Sequence, residues 1–222
     1  MRTHVLIDLD GTLSDSSPGI ARSLQHAFAR CGFPPPTDTQ VRSMIGPPFE
    51  ETFPRLGVRG PDIERVVLAY RERYEDVGLF ENALYPGVAA MVEELAGTHT
   101  LAIATAKPEP TAVRIVEHFG LDHHFAVQAG ASVEVNGHRR TKAQVIEYAL
   151  AMLTTEAGDH VVMVGDRDHD VDGARAHGID CIGVTWGFGG RAELERAGAV
   201  AIVDLPGQVA DAVASTYRSV RP

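Results

Sequence analysis

The stretch His4-Val5-Leu6-Ile7-Asp8-Leu9-Asp10-Gly11-Thr12 decides the fold of this chain, because a run of apolar residues leads directly into two carboxylates. Consecutive apolar residues are typical of a strand that is buried on both faces, as in a parallel sheet. Asp8 and Asp10 alternate with Leu9, so both side chains project from the same side of the strand's end. A buried carboxylate is costly unless it is paired or binds a metal. We therefore expect a cation to hold Asp8 and Asp10.

A turn without chemistry is the alternative interpretation of this stretch. An Asp-Gly pair such as Asp10-Gly11 is common in turns, because glycine readily adopts the conformations that a sharp turn needs. That interpretation gives no reason for Asp8 at the end of an apolar run. The functional interpretation is therefore preferred.

The composition is that of an ordinary globular protein with an acidic surface. A length of 222 residues predicts one large domain, or a main domain with a smaller partner. A net charge of −10 argues against a nucleic-acid-binding surface, which needs clustered Lys and Arg. No apolar run reaches the ~18 residues of a membrane span, and the first strand leaves no room for a signal peptide. We expect a cytoplasmic monomer or homodimer.

The pattern of elements changes along the chain. From Asp15 to Leu84 the sequence predicts helices and no strand. After Tyr85, short apolar runs alternate with amphipathic helices, which is typical of βαβ units. The prediction is an α/β fold with a doubly wound parallel sheet, in which a core of residues 1–14 and 85–222 carries an inserted all-helical domain of residues 15–84.

Polar residues follow several of the predicted strands, at the edge where ligands bind in such sheets. Thr105 follows one strand, Asp166 follows another, and Asp170 lies just beyond it. Lys142 begins a helix for which Thr141 is the predicted cap. Phosphoryl transfer through a carboxylate needs an aspartate, a proton-transfer group, a hard cation and donors for the phosphoryl oxygens. Each role has a candidate among these residues.

As a set, these residues resemble the motifs of the haloacid dehalogenase superfamily of phosphohydrolases, and its phosphoglycolate-phosphatase-like branch in particular. The matching stretches, in order, are Asp8-Leu9-Asp10-Gly11-Thr12, Thr105, Lys142 and Gly165-Asp166-Arg167-Asp168-His169-Asp170. Supporting stretches are Ile45-Gly46-Pro47-Pro48, Thr105-Ala106-Lys107-Pro108 and Val184-Thr185-Trp186-Gly187.

The resemblance implies a mechanism and a ligand set. Asp8 attacks phosphorus and forms an aspartyl-phosphate, while Asp10 protonates the leaving oxygen and later deprotonates water. Thr105 and Lys142 hold the phosphoryl oxygens. Mg²⁺ is bound by Asp8, the backbone carbonyl of Asp10, Asp166 and Asp170. The substrate, a small phosphorylated metabolite, is contacted by a further set of residues from the core and the helical cap that covers the site. That set is Gly11, Thr12, Gly46, Pro47, Ala106 and Lys107.

Several of these residues have alternative interpretations. Lys107 and Arg140 compete with Lys142 for the phosphoryl oxygens, and Asp170 is also a candidate helix cap. We expect Arg167 to pair with a neighbouring acid and Asp168 to be solvated.

Three other features are interpreted as structural. The histidines, His169 among them, show no metal-ligand spacing. Gly187-Phe188-Gly189-Gly190 resembles a phosphate-binding loop, but an isolated glycine cluster is weak support for such a site. It is interpreted as a flexible turn between a strand and a helix, and Trp186 as a packing residue.

Two other functions compete with a phosphatase acting on phosphoglycolate, a nucleoside monophosphate or a similar compound. A phosphomutase like β-phosphoglucomutase shares the motifs. A receiver-type signalling domain also combines acids, Thr and Lys in a doubly wound sheet, but no helical insertion interrupts it.

Overall fold

The computed structural model of the chain describes residues 2–45, 49–133, 137–153, 155–156 and 158–219. The chain forms two compact units, which we call the sheet unit (residues 1–14 and 84–222) and the helical unit (residues 15–83). Gly46 and Pro47, which the resemblance assigns to substrate binding, lie outside the described residues.

The sheet unit is built on six parallel strands. The strands of the described residues are β1 (Thr3–Ile7), β2 (Ser14–Asp15), β3 (Ala83–Leu84), β4 (Thr100–Pro108), β5 (Phe125–Ala131), β6 (His160–Gly165), β7 (Asp180–Val184) and β8 (Ala201–Val203). The main sheet has the order β5-β4-β1-β6-β7-β8, and each neighbouring pair is parallel. The predicted doubly wound parallel sheet is confirmed.

β1 lies at the centre of the sheet because its apolar run suits burial on both faces. Val5, Leu6 and Ile7 are fully buried, with β4 on one side and β6 on the other. Parallel strands end at a common edge, so Asp8, directly after β1, lies at the edge where β4 and β6 also end.

Helices connect the strands and cover the sheet. The α-helices of the described residues are α1 (Ser17–Arg30), α2 (Asp38–Met44), α3 (Phe49–Thr52), α4 (Pro61–Asp76), α5 (Val88–Ala96), α6 (Glu109–His118), α7 (Lys142–Leu153), α8 (Asp168–Arg175), α9 (Arg191–Ala197) and α10 (Val209–Ser219). α7 packs on β4 and β5 through its buried face of Val145, Ile146 and Ala149. None of the helices described combines the length and apolar character that a membrane crossing needs.

β4 is longer than its apolar run indicates. The sequence places Thr105 after the strand, but β4 continues to Pro108 because pairing with β5 resumes at Ala131 after a register shift. Gly130 allows this pairing, since a Cβ there would lie only 2.5 Å from the Cα of Glu109. The extension carries Thr105 and Lys107 on the strand itself.

The helical unit has an aromatic core of its own. Phe28 of α1 meets Phe53 edge to face, with ring centroids 5.5 Å apart, and Phe53 stacks on Phe49 at 4.8 Å. Tyr70 of α4 packs edge to face on Phe49. The two-residue strands β2 and β3 pair with each other. The sequence predicts no strand at either place, because two residues are too few to show an alternation of apolar and polar side chains.

Candidate active site

Lys142 joins two buried aspartates from separate parts of the sheet edge. Its Nζ lies 2.8 Å from Asp8 Oδ1 and 2.7 Å from Asp170 Oδ1, and it donates to the carbonyl of Ala104 at 3.0 Å. Lys142 is the first residue of α7, and Thr141 caps that helix by accepting the N–H of Gln144, as predicted. Four elements meet here: the end of β1, strand β4, the start of α7 and the first turn of α8.

The charges in this cluster are unbalanced. Burial raises the pKa of Asp8, and repulsion from Asp170 adds to it in spite of the lysine. Burial also raises the pKa of Asp166 well above its usual range, with repulsion from Asp170 and Asp8 acting in the same direction. The ammonium group of Lys142 does not compensate three carboxylates that are all at least nine-tenths buried.

Lys142 and Asp170 nevertheless stabilise each other as charged groups. Burial opposes the charge of Lys142, but attraction from Asp170 and Asp8 outweighs it and raises the pKa of the lysine. Burial likewise opposes the charge of Asp170, but attraction from Lys142 and His169 and the N–H of Arg167 together outweigh it, so the pKa of Asp170 is lowered. Asp170 also accepts the backbone N–H of Arg167 at 3.1 Å. Arg167, and not Asp170, is the N-cap residue of α8, so the alternative prediction that Asp170 caps this helix is wrong; Asp170 lies inside the first turn.

Two glycines make room for this ion pair. A Cβ at Gly165 would lie 2.4 Å from Cγ of Asp170, and a Cβ at Gly173 would lie 2.7 Å from Cγ of Lys142. The carboxylate and the lysine stem therefore press directly on backbone. Packing of this kind fixes both side chains more tightly than the ion pair alone would.

A second ion pair lies at the same edge. Lys107 Nζ donates to Asp10 Oδ2 at 2.7 Å, and the backbone N–H of Lys107 donates to Thr105 Oγ1 at 3.2 Å. Thr105 and Lys107 are buried, and Ala106 between them is half-buried. Lys107 therefore takes a position beside Asp10, while Lys142 takes the position beside Asp8.

Asp166 is held by backbone and hydroxyl groups rather than by a lysine. Its Oδ2 accepts the N–H groups of Phe188 at 2.7 Å and Gly189 at 3.4 Å. Its Oδ1 accepts the hydroxyl of Thr12 at 3.3 Å. Gly11 (φ +87°) passes so close that a Cβ there would lie 2.3 Å from Asp166 Oδ2, so any substrate contact at Gly11 is made by its backbone.

The donor set fits a hard divalent cation. Asp8 and Asp170 each offer an oxygen within 4.8 Å of the other and of a ring nitrogen of His169. Carboxylate oxygens are the ligands that Mg²⁺ prefers, and a cation would neutralise the excess negative charge described above.

His169 was missed by the sequence interpretation, which treated the histidines as structural because they show no metal-ligand spacing. Its side chain is 30% exposed, and its Nε2 lies 4.0 Å from Asp170 Oδ1. Its position directly before Asp170 was the available signal. Because Mg²⁺ prefers oxygen ligands, we describe His169 as a neighbour of the metal position.

The secondary expectations for this edge are confirmed where the structure addresses them. Arg167 pairs with an acid, Glu193, at 2.7 Å. The side chain of Asp168 is 54% exposed, and Arg140 is also exposed.

The glycine-rich turn has more contacts than the sequence indicates. Gly187–Gly190 does connect β7 to α9, as predicted. However, two of its N–H groups bind Asp166, and the indole N–H of Trp186 donates to the carbonyl of Thr12 at 3.0 Å. The interpretation of Trp186 as a packing residue was therefore incomplete.

Among curated relatives, the chain is 46% identical over 187 residues to the tyrosine-protein kinase PtkA of Mycobacterium tuberculosis. That match covers 83% of this chain but 62% of the relative, so the chain spans less than two thirds of the length of this relative. It is 41% identical to a 5'-nucleotidase of Pseudomonas aeruginosa, with 86% of each chain covered. A phosphoglycolate phosphatase of Agrobacterium fabrum is 30% identical, with 82% of this chain and 80% of the relative covered.

The fold is shared with solved structures. A haloacid dehalogenase-like family hydrolase from Streptococcus pneumoniae superposes with a TM-score of 0.86 at 33% identity, covering 95% of this chain and 97% of the other. The family model described as haloacid dehalogenase-like hydrolase matches residues 5–184. With the motif residues assembled at one sheet edge, the predicted resemblance is confirmed: this chain belongs to the haloacid dehalogenase-like hydrolase family.

Proposed function

We propose that the chain is a Mg²⁺-dependent phosphatase that hydrolyses a small-molecule phosphate monoester through an aspartyl-phosphate. The observation that carries the proposal is the Asp8–Lys142–Asp170 cluster, buried at the carboxyl edge of the sheet beside the Asp10–Lys107 pair. The cluster combines a fixed carboxylate with more negative charge than its own lysine compensates. Such a site suits a cation and a phosphoryl group together.

Asp8 is the proposed nucleophile. Lys142 binds its Oδ1, which leaves Oδ2 to form a bond to phosphorus as the bond from phosphorus to the leaving oxygen breaks. The ammonium group of Lys142 also reduces the repulsion between the carboxylate and an incoming phosphate. Mg²⁺, when bound, would supply further neutralisation of the charge on the phosphoryl oxygens.

Asp10 is the proposed acid and base. As an acid it gives its proton to the leaving oxygen in the first step. As a base it then takes a proton from the water that attacks phosphorus, which releases phosphate and restores Asp8. Asp10 Oδ2 is bound by Lys107, whereas Asp10 Oδ1 is buried and has no hydrogen-bond partner among the described residues. We assign the proton transfer to Oδ1.

The other motif residues orient the phosphoryl group. Thr105 and Lys142 donate to its oxygens, and the backbone of Gly11, Thr12 and Ala106 is available at the same edge. The hydroxyl of Thr12 is engaged by Asp166, so we assign a substrate contact to its backbone. Lys107 contributes positive charge next to Asp10. Asp8, Asp166, Asp170 and the carbonyl of Asp10 are the proposed metal ligands.

A small phosphate ester is the favoured substrate class. Relatives with coverage above three quarters of both chains carry the names 5'-nucleotidase and phosphoglycolate phosphatase. Both names denote phosphate esters of small molecules. The excess negative charge of the site requires a metal before such an anion can bind.

Phosphoryl transfer to tyrosine is the second candidate function, because the 46%-identical relative is named a tyrosine-protein kinase. Since the chain spans 62% of that relative, this activity is a weaker proposal. A phosphatase and a kinase differ in the acceptor of the phosphoryl group, which is water in the first case and a tyrosine hydroxyl in the second.

One screen separates these functions. Phosphate release is measured over a panel of phosphoglycolate, nucleoside monophosphates and sugar phosphates, with Mg²⁺ and with EDTA, and a parallel reaction holds ATP with a tyrosine-containing peptide. We expect metal-dependent release from at least one compound, and none from Asp8→Asn. Isomerisation of a sugar phosphate without release indicates a mutase, and phosphotyrosine formed from ATP indicates a kinase. A stable phosphoprotein without turnover indicates a signalling domain, and any of these three outcomes alone overturns the proposal.

A further inference from the structure

Asp166 differs from the other buried acids of the site in how it is held. Asp8 and Asp170 share the ammonium group of Lys142, whose attraction depends little on direction. Asp166 instead accepts hydrogen bonds from a hydroxyl and from backbone N–H groups, which are directional donors. A carboxylate has about four acceptor positions. The N–H groups of Phe188 and Gly189 bind Oδ2, whereas Oδ1 accepts one hydrogen bond within the part of the chain that the structure describes, from the hydroxyl of Thr12. One oxygen is therefore anchored, and the other keeps an acceptor position.

The donors to Oδ2 belong to a segment that is packed against Asp166 without spare space. A Cβ at Gly187 would lie 2.2 Å from the carbonyl oxygen of Gly11 and 2.4 Å from Asp166 Oδ2. A Cβ at Gly189 would lie 2.1 Å from the carbonyl oxygen of Asp166. Real Cβ atoms do not approach backbone oxygens this closely, so both positions require glycine for the contact to exist.

The same segment is tied to the first motif. Trp186 donates its indole N–H to the carbonyl of Thr12 at 3.0 Å, and the hydroxyl of Thr12 donates to Asp166 Oδ1. The chain leaving β7 is thereby linked to the chain leaving β1 and to the residue that follows β6. These contacts form a closed ring through Trp186, Thr12, Asp166 and Phe188.

We propose that residues 186–189, which we call the β7 loop, are positioning residues for Asp166. They fix its carboxylate so that Oδ1 is presented to the metal of the proposed function, on which this inference rests. The loop lies just beyond the residues 5–184 that the family model matches. Outer groups that orient a metal ligand typically change metal affinity by about 10- to 100-fold when they are altered.

Gly190 provides a matched control within the same turn. A Cβ at Gly190 would meet nothing within 4 Å, and its φ of −119° is ordinary for any residue. Gly187→Ala and Gly189→Ala add a methyl group that collides with the Asp166 region, whereas Gly190→Ala adds the same methyl group into open space. All three variants add the same methyl group, and only at Gly190, the N-cap residue of α9, does that group enter open space.

The test measures Mn²⁺ binding to the full chain by electron paramagnetic resonance, without substrate, and checks folding by circular dichroism. We expect Gly187→Ala and Gly189→Ala to weaken Mn²⁺ binding about 10- to 100-fold, and Gly190→Ala to stay within about twofold of the wild type. A folded Gly187→Ala or Gly189→Ala protein with wild-type affinity overturns the inference. So does a Gly190→Ala protein that is weakened as much as the other two.

A milder variant covers the case in which both glycine variants fail to fold. Trp186→Phe keeps the ring and removes the N–H that binds Thr12. We expect it to weaken Mn²⁺ binding about threefold or more, and unchanged binding overturns the inference. A wild-type chain that binds no Mn²⁺ also overturns it. If the wild type binds Mn²⁺ but releases no phosphate from any compound, the proposed function fails and the role of the β7 loop stands.

Discussion

Lys107 Nζ lies 2.7 Å from Asp10 Oδ2, although 97 positions separate the two residues in sequence. Both side chains are largely buried, with 6% and 16% exposed. An opposite charge at this distance in a buried site fixes the direction of a carboxylate. Lys107 therefore orients the proposed acid and base of the reaction, whereas Lys142 serves the proposed nucleophile.

Replacing Lys107 by Met should reduce kcat by about 10²- to 10³-fold, because a misoriented Asp10 loses most of the benefit of proton transfer. Phosphate release under substrate saturation measures the effect. Arg140→Met, in the loop before Lys142, is the matched control and should keep wild-type kcat. If the Arg140 variant loses activity and the Lys107 variant does not, the assignment of Lys107 is wrong.

Asp8→Asn should abolish phosphate release while leaving the fold intact, because an amide is not a nucleophile toward phosphorus. Steady-state assays should show a loss of at least about 10³-fold, the scale expected when a unit of catalytic residues is broken. Circular dichroism should match the wild type. Asp168→Asn is the control, since its side chain is 54% exposed and should not contribute. Full activity in Asp8→Asn contradicts the nucleophile assignment.

Lys142→Met should destabilise the fold as well as the activity, because it leaves Asp8 and Asp170 buried without their partner. Removing one partner of a buried ion pair typically costs about 3–5 kcal/mol in the free energy of unfolding. Urea denaturation measures that loss. Adding Asp170→Asn to Lys142→Met should recover part of it, since the double variant buries one charge fewer. A double variant less stable than the single one argues against the ion pair as the cause.

Asp159 should contribute stability that depends on pH. The N–H groups of Arg2 and Glu156, followed by the ring of His4, lower the pKa of this carboxyl group well below its usual range. A carboxyl group whose pKa is lowered by folding stabilises the protein above its unfolded pKa of about 3.9, and the contribution is lost as the pH falls toward the folded value.

Asp159→Asn should therefore lower the urea midpoint by a constant amount between about pH 6 and 8, and the difference from the wild type should shrink below about pH 4. Asp76→Asn, at the exposed end of α4, is the control. If the difference in urea midpoint between the wild type and Asp159→Asn grows as the pH falls, the assigned lowering of the Asp159 pKa is wrong.

The parallel sheet was predictable because a strand that is buried on both faces consists of consecutive apolar residues. A continuous apolar run such as Val161–Val164 predicts a strand even when the neighbouring strand is unknown. The alternation of strands and helices then limits the possible topologies. The far end of β4 was not predictable. Thr105 to Pro108 is mixed in character, and its strand conformation depends on pairing with Ala131 of β5.

Residue types at the site were predictable, but their partners were not. Asp8, Lys142 and Asp170 were expected at one edge, and the structure brings them together. Their assigned roles remain predictions. The choice of Lys107 for Asp10 depends on side-chain directions at the ends of two strands, and no local pattern encodes that choice. The hydrogen bond of Trp186 could not be predicted either, because its acceptor is a backbone carbonyl and every residue has one.

The position of β1 has a consequence for how the protein is made. β1 is synthesised before its neighbours in the sheet, β4 and β6, whose pairing partners for His4 are Thr100 and Val161. Contacts between such distant segments slow folding. During synthesis the segment that carries Asp8 therefore stays solvated and without its lysine until Lys142 and the two neighbouring strands have emerged. Chaperone dependence of a nascent chain should be greatest before β6 is translated, and should fall sharply once it appears.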